Sequence, residues 1–483
     1  MFVFDSSVRS LISRVEIALD GDSVNVALRL VHNFVERIVT EPICAAQVFA
    51  SRDLDQLCLR IGRHNLAGLV VPQDNPLPGG KNGSTVVYLV SRLQRSGGHS
   101  RLVQDFIRAQ PEKNHLILST EVGGPSDKDF FSKLFATDEN VYFMCAPGGN
   151  FEARLSWLQS TLLTSRPEHV YLFNHHQDSV AAAALVPELR LAGSFCHHGD
   201  HHLCLGVHFN HLTHIDFHPM GFYYCRDQLG VDNRYLPLTF EDKHCLPAQT
   251  EFMHGGPLTT ATAARSNKVE IPYYVSYLDT IPRVLKVTGG RHIHIGKLTP
   301  WALRRIYNQM CKQDVQKDRF VYIDWTPSVW KALQEHEVDV YIASFPYGAG
   351  LTLIEAMGAG IPVIMHQHMY SRVLSGLELA YPEAFSWADP EDLLTYLKAL
   401  EPESLQHERY LARQRYEAFH HPEMLRDYLR DPESVRLAVP PLMSKFRPRY
   451  DEWAAWAERQ LSFSRLVYRF AYRIWRRYRR LAS

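Results

Sequence analysis

A single carboxylate, Glu355, stands in an otherwise apolar run, SFPYGAGLTLIEAMGAGIPVI (344–364), which glycines punctuate at 348, 350, 358 and 360. The stretch leading into it, VDVYIAS (338–344), has the Val, Tyr and Ile content of a buried strand. PYGAG reads as a turn, LTLIEAMGAG as a short helix that stops at glycine, and IPVI as the start of the next buried strand. An acid about one turn into such a helix has two uses. It can accept hydrogen bonds from two neighbouring hydroxyls, as on a ribose, or it can sit as a helix-dipole acid on a solvated face. The helix N-terminus attracts anions in either case.

The second dense stretch is FCHHGDHHLCLGVHFNHLTHIDFH (195–218), where many of the chain's 25 histidines gather. Imidazoles and a carboxylate on a loop after a strand are the material of general acid–base chemistry. The stretch also admits a metal. The register Cys196-His197-His198-Gly199-Asp200-His201 is similar to the H-x-H-x-D-H motif of metallo-β-lactamase-type hydrolases, with cysteine, itself a competent zinc ligand, in the first position. At the C-terminus, RLVYRFAYRIWRRYRRLAS spaces Leu466, Val467, Phe470, Ile474, Trp475, Tyr478 and Leu481 at helical intervals, with Arg465, Arg469, Arg473, Arg476, Arg477 and Arg480 on the other face. Such a helix suits an anionic membrane surface, or it docks its apolar face on the globule.

These groups need a scaffold, and the sequence describes one. Residues 1–70 have helical periodicity, in VRSLISRVEIALDG and VALRLVHNFVERIV. VPQDNPLPGGKNGS (71–84) reads as a linker. Strand and helix patterns then alternate: TVVYLVS (85–91), a glycine loop entering the helix GGHSRLVQDFIRAQP, then HLILST, NVYFMCA, HVYLFN and THIDFHP. A second alternating series opens near residue 255 with PLTTATAAR, RHIHIG, RFVYIDW and VDVYIAS as its strands. Two such series predict two doubly wound domains facing a cleft, with ligands beyond the carboxyl ends of the strands. The boundaries read as a helical N-terminal extension and linker at 1–83, a first Rossmann-like domain at 84–254, a second at 255–420, and a helical segment with the basic tail at 421–483.

Length and composition set the outer bounds. With 483 residues, 46% of them hydrophobic, the chain can build several sizeable cores. Its 52 basic and 52 acidic residues cancel, which argues against nucleic acid as a partner. Eight scattered cysteines without a CxxC pair fit a reducing cytosol. MFVFDSSVRS lacks a signal-peptide pattern, and no apolar run is long enough to span a bilayer.

FPYGAGLTLIEAMGAGIPVI resembles the donor-binding segment of GT-B glycosyltransferases, above all the retaining glycosyltransferase family 4. That family reads roughly S-x-x-E-G-x-G-x-x-x-x-E-A-M-A-x-G-x-P-V, and Gly348, Gly350, Glu355, Ala356, Met357, Gly358, Gly360, Pro362 and Val363 match it. The resemblance implies that Glu355 holds the nucleotide ribose, with Gly348, Gly350, Leu351 and Thr352 around the donor. The family's first acid falls at Tyr347, a departure from the pattern. TTATAARSNKVEIPY resembles the family's opening of the second domain and implies that Arg265 and Lys268 hold the departing diphosphate, whose charge two cations would stabilise. SGGHSR (96–101) resembles the family's glycine loop, which places Gly97, Gly98 and His99 by the diphosphate or the acceptor. The family often sets a histidine beside the transferred sugar. His197 or His198 would supply it, with Asp200 as orienting partner or acceptor-side base.

The resemblance therefore implies a GT-B glycosyltransferase of α/β class. It would move a sugar with retention from a nucleotide-diphosphate sugar to a glycan, lipid-linked or protein acceptor in cell-surface polysaccharide or lipopolysaccharide synthesis. It implies no obligatory cofactor or metal. The cysteine usage and the basic tail add the expectation of a cytoplasmic place, peripheral on the membrane through residues 463–483. The competing readings are a non-catalytic glycosyltransferase-like partner subunit, a nucleotide-sugar epimerase, and a metal-dependent hydrolase using the histidine cluster.

Overall fold

Strand-forming runs fall into two parallel sheets in the computed structural model, which describes residues 2–41, 44, 46–70, 84–95, 97–241, 251–348 and 350–460. The first sheet comprises β1 (Thr85–Val90), β2 (Asn114–Ser119), β3 (Val141–Cys145), β4 (His169–Phe173), β5 (Gly193–His197), β6 (Thr213–Asp216) and β7 (Asn233–Tyr235), in the order β3-β2-β1-β4-β5-β6-β7. The second comprises β8 (Thr260–Ala263), β9 (His292–Ile295), β10 (Phe320–Ile323), β11 (Val340–Ile342), β12 (Val363–His366) and β13 (Ser386–Trp387), in the order β10-β9-β8-β11-β12-β13. Each sheet starts in its middle and reverses direction there, between β1 and β4 and between β8 and β11. Those reversals open a crevice at the carboxyl ends of the strands.

Helices cover both faces, so the central strands are apolar throughout rather than alternating. On β1, Leu89 pairs with Leu118 of β2 and Leu172 of β4, and all three are fully buried. The N-terminal helices are part of this packing. Helices Val24–Val39 and Arg52–Ala67 place Leu28, Val31, Leu54 and Ile61 in one core cluster with Val87, Leu89, Leu116 and Leu172. Gly62 makes this close approach feasible, since a methyl there would lie 2.0 Å from the Ala183 carbonyl oxygen. Buried Asp55 on the same helix accepts hydrogen bonds from the amides of Gly206 (2.7 Å) and His208 (2.9 Å), tying the N-terminal helices to the histidine-rich loop.

The chain returns to the first domain after the second sheet. Helices Pro402–Phe419 and Glu423–Arg430 follow β13, and Tyr416 donates its hydroxyl to the Phe240 carbonyl at 2.6 Å. His420 Nδ1 donates to the Leu238 carbonyl at 2.7 Å. Among the described residues no helix is long and apolar enough to cross a membrane. The basic segment 463–483 and most of the linker 71–84 lie outside the described residues.

Candidate active site

The glycine-rich segment forms the turn and helix expected of it. β11 ends at Ile342, the chain bends at 345–347, and the helix runs Leu351–Gly358 before β12. Its glycines serve different ends. A methyl at Gly358 would lie 2.1 Å from the Trp330 ring, so that glycine makes room for an indole. Gly350 instead faces the other domain: a methyl there would lie 2.9 Å from Leu238 Cδ1 and 3.2 Å from His218 Nε2. Gly98 approaches from the first domain, where a methyl would lie 3.4 Å from Leu351 Cδ1. The start of the Leu351–Gly358 helix thus lies against the first domain's glycine loop and against His218.

Glu355 is not on a solvated face. It is 6% exposed, and its Oε2 accepts from the amides of Val329 (3.0 Å) and Trp330 (3.1 Å), the first residues of helix Val329–Glu335. The carboxylate satisfies two orphan amides of that helix and is held in orientation by them. Thr352, one turn earlier, shares a 2.9 Å hydrogen bond with the Tyr341 hydroxyl. Tyr347, at the family's first-acid position, is drawn in by its backbone: its amide donates to Lys268 O at 3.4 Å, and its carbonyl accepts from Ser344 Oγ at 2.7 Å.

Arg265 and Lys268 follow β8 but part company. Arg265 is exposed. Lys268 donates from Nζ to the Gly348 carbonyl at 2.8 Å, and burial pushes its ammonium down to about 8. The lysine is therefore fixed to the turn that precedes the Leu351–Gly358 helix, while the arginine reaches solvent.

The histidine-rich loop sorts into separate partners, which corrects the placement expected of His197. His197, at the end of β5, turns into the interior and donates from Nδ1 to Asp216 Oδ1 at 2.8 Å, with 1% of each side chain exposed. It does not face the cleft. His198 stacks on His99, with ring centroids 4.6 Å apart and planes at 14°, and donates from Nδ1 to the Cys196 carbonyl. His99 in turn donates from Nε2 to the Phe173 carbonyl at 2.8 Å, so this residue of the glycine loop is a support for His198. Burial pushes His198 down to about 4 and His175 to about 3, leaving both neutral near pH 7. Gly97 adopts a positive φ, +132°, at the N-cap of helix Gly98–Arg108.

Asp200 orients a histidine, but neither of those expected. His218 donates from Nδ1 to Asp200 Oδ2 at 2.9 Å, and Asp200 is 4% exposed. Gly221 leaves space for this pair, since a methyl there would lie 2.5 Å from Asp200 Oδ2. Burial disfavours the His218 imidazolium, but adjacent Asp200 outweighs it and holds the ring above the ordinary histidine value. The signal was present in THIDFHP: His218 follows a parallel strand, where site residues collect. A second contact that the sequence concealed joins the domains at Arg95 and Trp325, with the guanidinium 3.8 Å from the indole centroid.

The metallo-hydrolase register fails for the same reason. His197, His198 and Asp200 each engage a different partner, and the His201 ring lies edge-on to His176 at 4.9 Å. The consecutive positions therefore do not converge on one point. Among the described residues the convergent ligand atoms belong to His197, His214, Asp216 and Cys225.

No protein-family model matches the chain, and no curated protein does either. Solved structures do. HepE from Anabaena, in complex with UDP and glucose, is similar over 73% of this chain and 100% of its own, at 11% identity and a TM-score of 0.53. The lipopolysaccharide outer core galactosyltransferase WaaB, in its apo form, is similar over 71% of this chain and 98% of its own, at 11% identity and a TM-score of 0.52. An O-GlcNAc transferase mutant from Thermobaculum terrenum is similar over 88% of this chain and 83% of its own, at 13% identity and a TM-score of 0.50. With two doubly wound parallel sheets in contact at Gly98, His218 and the start of the Leu351–Gly358 helix, and a C-terminal helix pair that returns to the first domain, this chain has the GT-B fold.

Proposed function

We propose that the protein is a glycosyltransferase that moves a sugar from a nucleotide-diphosphate sugar to a glycan, lipid-linked or protein acceptor. One observation carries the reading: His218 Nε2, oriented by Asp200, faces Gly350 at the start of the Leu351–Gly358 helix. That helix start is where backbone amides attract the anionic part of a donor, and Lys268 is anchored to the turn just before it. In this scheme Lys268 and Arg265 attract the diphosphate, and Glu355 reads the ribose from an orientation already fixed by the Val329 and Trp330 amides. The bond from the anomeric carbon to the diphosphate oxygen breaks and its electron pair goes to the diphosphate, while the acceptor oxygen bonds to the anomeric carbon and passes its proton to the departing diphosphate. His218 is the group placed to hydrogen-bond the reacting sugar or phosphate from the first domain.

Retention of configuration is part of the proposal and comes from the family resemblance; Tyr347 offers no carboxylate at the position where the family has its first acid. The basic tail, Arg465 to Arg480, would keep the enzyme at an anionic surface where a lipid-linked acceptor is held. Because HepE was solved with UDP-glucose, UDP is the first nucleotide to test. Calorimetry against UDP, GDP, ADP and CMP, followed by turnover of the matching sugar donors with product NMR, tests the reading. Tight binding of one nucleoside diphosphate with sugar transfer is the expected result. Binding without transfer to any acceptor points to a non-catalytic subunit, a sugar epimerised without transfer points to an epimerase, and no nucleotide binding overturns the proposal.

A further inference from the structure

We propose that His197, His214, Asp216 and Cys225 form a structural zinc site beneath the histidine loop of the first domain. The four residues come from three elements: His197 ends β5, His214 and Asp216 lie on β6, and Cys225 lies on helix Pro219–Asp227. Their ligand atoms all lie within 4.8 Å of one another, and all four residues are buried. The donor set, two imidazole nitrogens, a thiolate sulfur and a carboxylate oxygen, is one that zinc accepts.

The spacing fits the ion. Zinc–ligand bonds of about 2.0–2.3 Å in a tetrahedron put neighbouring ligand atoms about 3.3–3.6 Å apart. Cys225 Sγ lies 3.6 Å from His197 Nδ1 and 3.6 Å from Asp216 Oδ1. His214 Nε2 lies 3.3 Å from Asp216 Oδ2, the other oxygen of the same carboxylate, so one ion bound through Oδ1 requires a small turn of that carboxylate or imidazole. His197 Nδ1 and Asp216 Oδ1, at 2.8 Å, are closer because they share a hydrogen bond that the metal would replace.

His214 supplies the independent sign. Its Nδ1 lies 3.2 Å from the Val207 carbonyl, which only accepts, so Nδ1 carries the hydrogen. Its Nε2 is buried, makes no hydrogen bond, and lies 3.3 Å from Asp216 Oδ2. A zinc ion bound by both groups would satisfy this nitrogen and the carboxylate together. The outer groups are arranged as they are around metal ligands: a backbone carbonyl fixes the tautomer of His214, and Asn233 Nδ2 holds Asp216 Oδ2 at 2.5 Å, which leaves Oδ1 toward His197 and Cys225. Four protein ligands fill a tetrahedron and leave no open position for a hydrolytic water, so the metal would be structural. It would clamp the ends of β5 and β6 to the helix behind them, from which the His198–Asp200 loop and His218 extend toward the cleft.

Metal analysis of the full-length protein, purified without chelator or an affinity metal, tests the proposal. The expected result is about one zinc per chain, lost in His214→Ala and in Cys225→Ser and retained in Cys196→Ala, whose buried thiol lies outside the cluster. Because unfolding alone would also release zinc from the first two variants, cobalt exchange into the wild type gives a separate reading. Cobalt at these ligands should show tetrahedral d–d bands with a thiolate charge-transfer band, and chelation should lower the melting temperature. Wild-type protein that carries no stoichiometric zinc, or cobalt-loaded protein without the thiolate band, overturns the site.

Discussion

His218 and Asp200 meet across the first domain's loop at 2.9 Å, and the other nitrogen of His218 looks out at Gly350 of the second domain. The carboxylate fixes which nitrogen faces the cleft, a device that recurs wherever a histidine must present one defined tautomer. His218→Ala should lower turnover by roughly a hundredfold or more, the range for a positioned acid–base or hydrogen-bonding side chain. Asp200→Asn should lower kcat less and leave KM for the donor nearly unchanged, because Asp200 acts through His218. Circular dichroism checks that both variants fold; a His218→Ala enzyme with wild-type turnover removes His218 from the reaction.

Glu355 has a structural burden that its motif did not reveal. Glu355→Ala strands the Val329 and Trp330 amides at the start of their helix. Losing such a cap costs about 0.5–2 kcal/mol, so the variant should melt earlier as well as bind donor less tightly. Glu355→Gln keeps an acceptor oxygen for the amides and should recover most of the stability, while a ribose contact that depends on the carboxylate charge stays weakened. Calorimetric donor binding beside a denaturant melt separates the two effects. Equal nucleotide affinity in wild type and both variants would leave Glu355 a helix cap alone.

The architecture was legible where periodicity and punctuation carried it. The strands TVVYLVS and RHIHIG, the helix PWALRRIYNQMCK and the glycine turn before Leu351 all form where their residues indicate, because each obeys a local rule. The glycine-rich segment was legible as a turn and a short helix, but not that Glu355 would turn inward to the neighbouring helix. The histidine loop was the least legible. Its residues adjoin in sequence, but β5 carries His197 inward while the chain beyond it turns, so neighbours end with different partners. Pairing Asp200 with His218, or His197 with Asp216, needs residues 18 and 19 positions apart, which only the parallel register of β5 and β6 brings together. The N-terminal helices read as an extension because helical periodicity says that a face is buried without saying against what.

Gly350 tests whether the two domains work in the contact described. Its φ of −75° suits any residue, so Gly350→Ala imposes no backbone strain. The added methyl would press on Leu238 and His218 across the cleft. The melting temperature should move little, while turnover falls by about tenfold or more as the helix start is pushed from His218, on the scale of a small misplacement of reacting groups. Unchanged kinetics in this variant would mean that the domains react in a more open arrangement than the one seen.

Lys268 supplies a pH signature. Burial depresses its ammonium from the ordinary value of 10.5 to about 8. Across that interval the unfolded chain binds more protons than the folded one, so this group makes stability rise with pH from about 8 toward 10.5 and costs most below 8. Donor affinity should run the other way. A diphosphate selects the charged lysine, so affinity holds steady below about pH 8 and weakens above it, approaching tenfold per pH unit as the charge is lost. The groups whose charges couple to Lys268 are His201, which burial keeps neutral, and His218, which Asp200 holds above its ordinary value. Lys268→Arg separates these contributions, because a guanidinium stays charged throughout. It should flatten the alkaline limb and leave any His218 limb in place. Nucleotide titrations from pH 6 to 10 on both proteins decide the matter: an alkaline limb that survives in Lys268→Arg belongs to another group, and Lys268 is then only the anchor of the Gly348 turn.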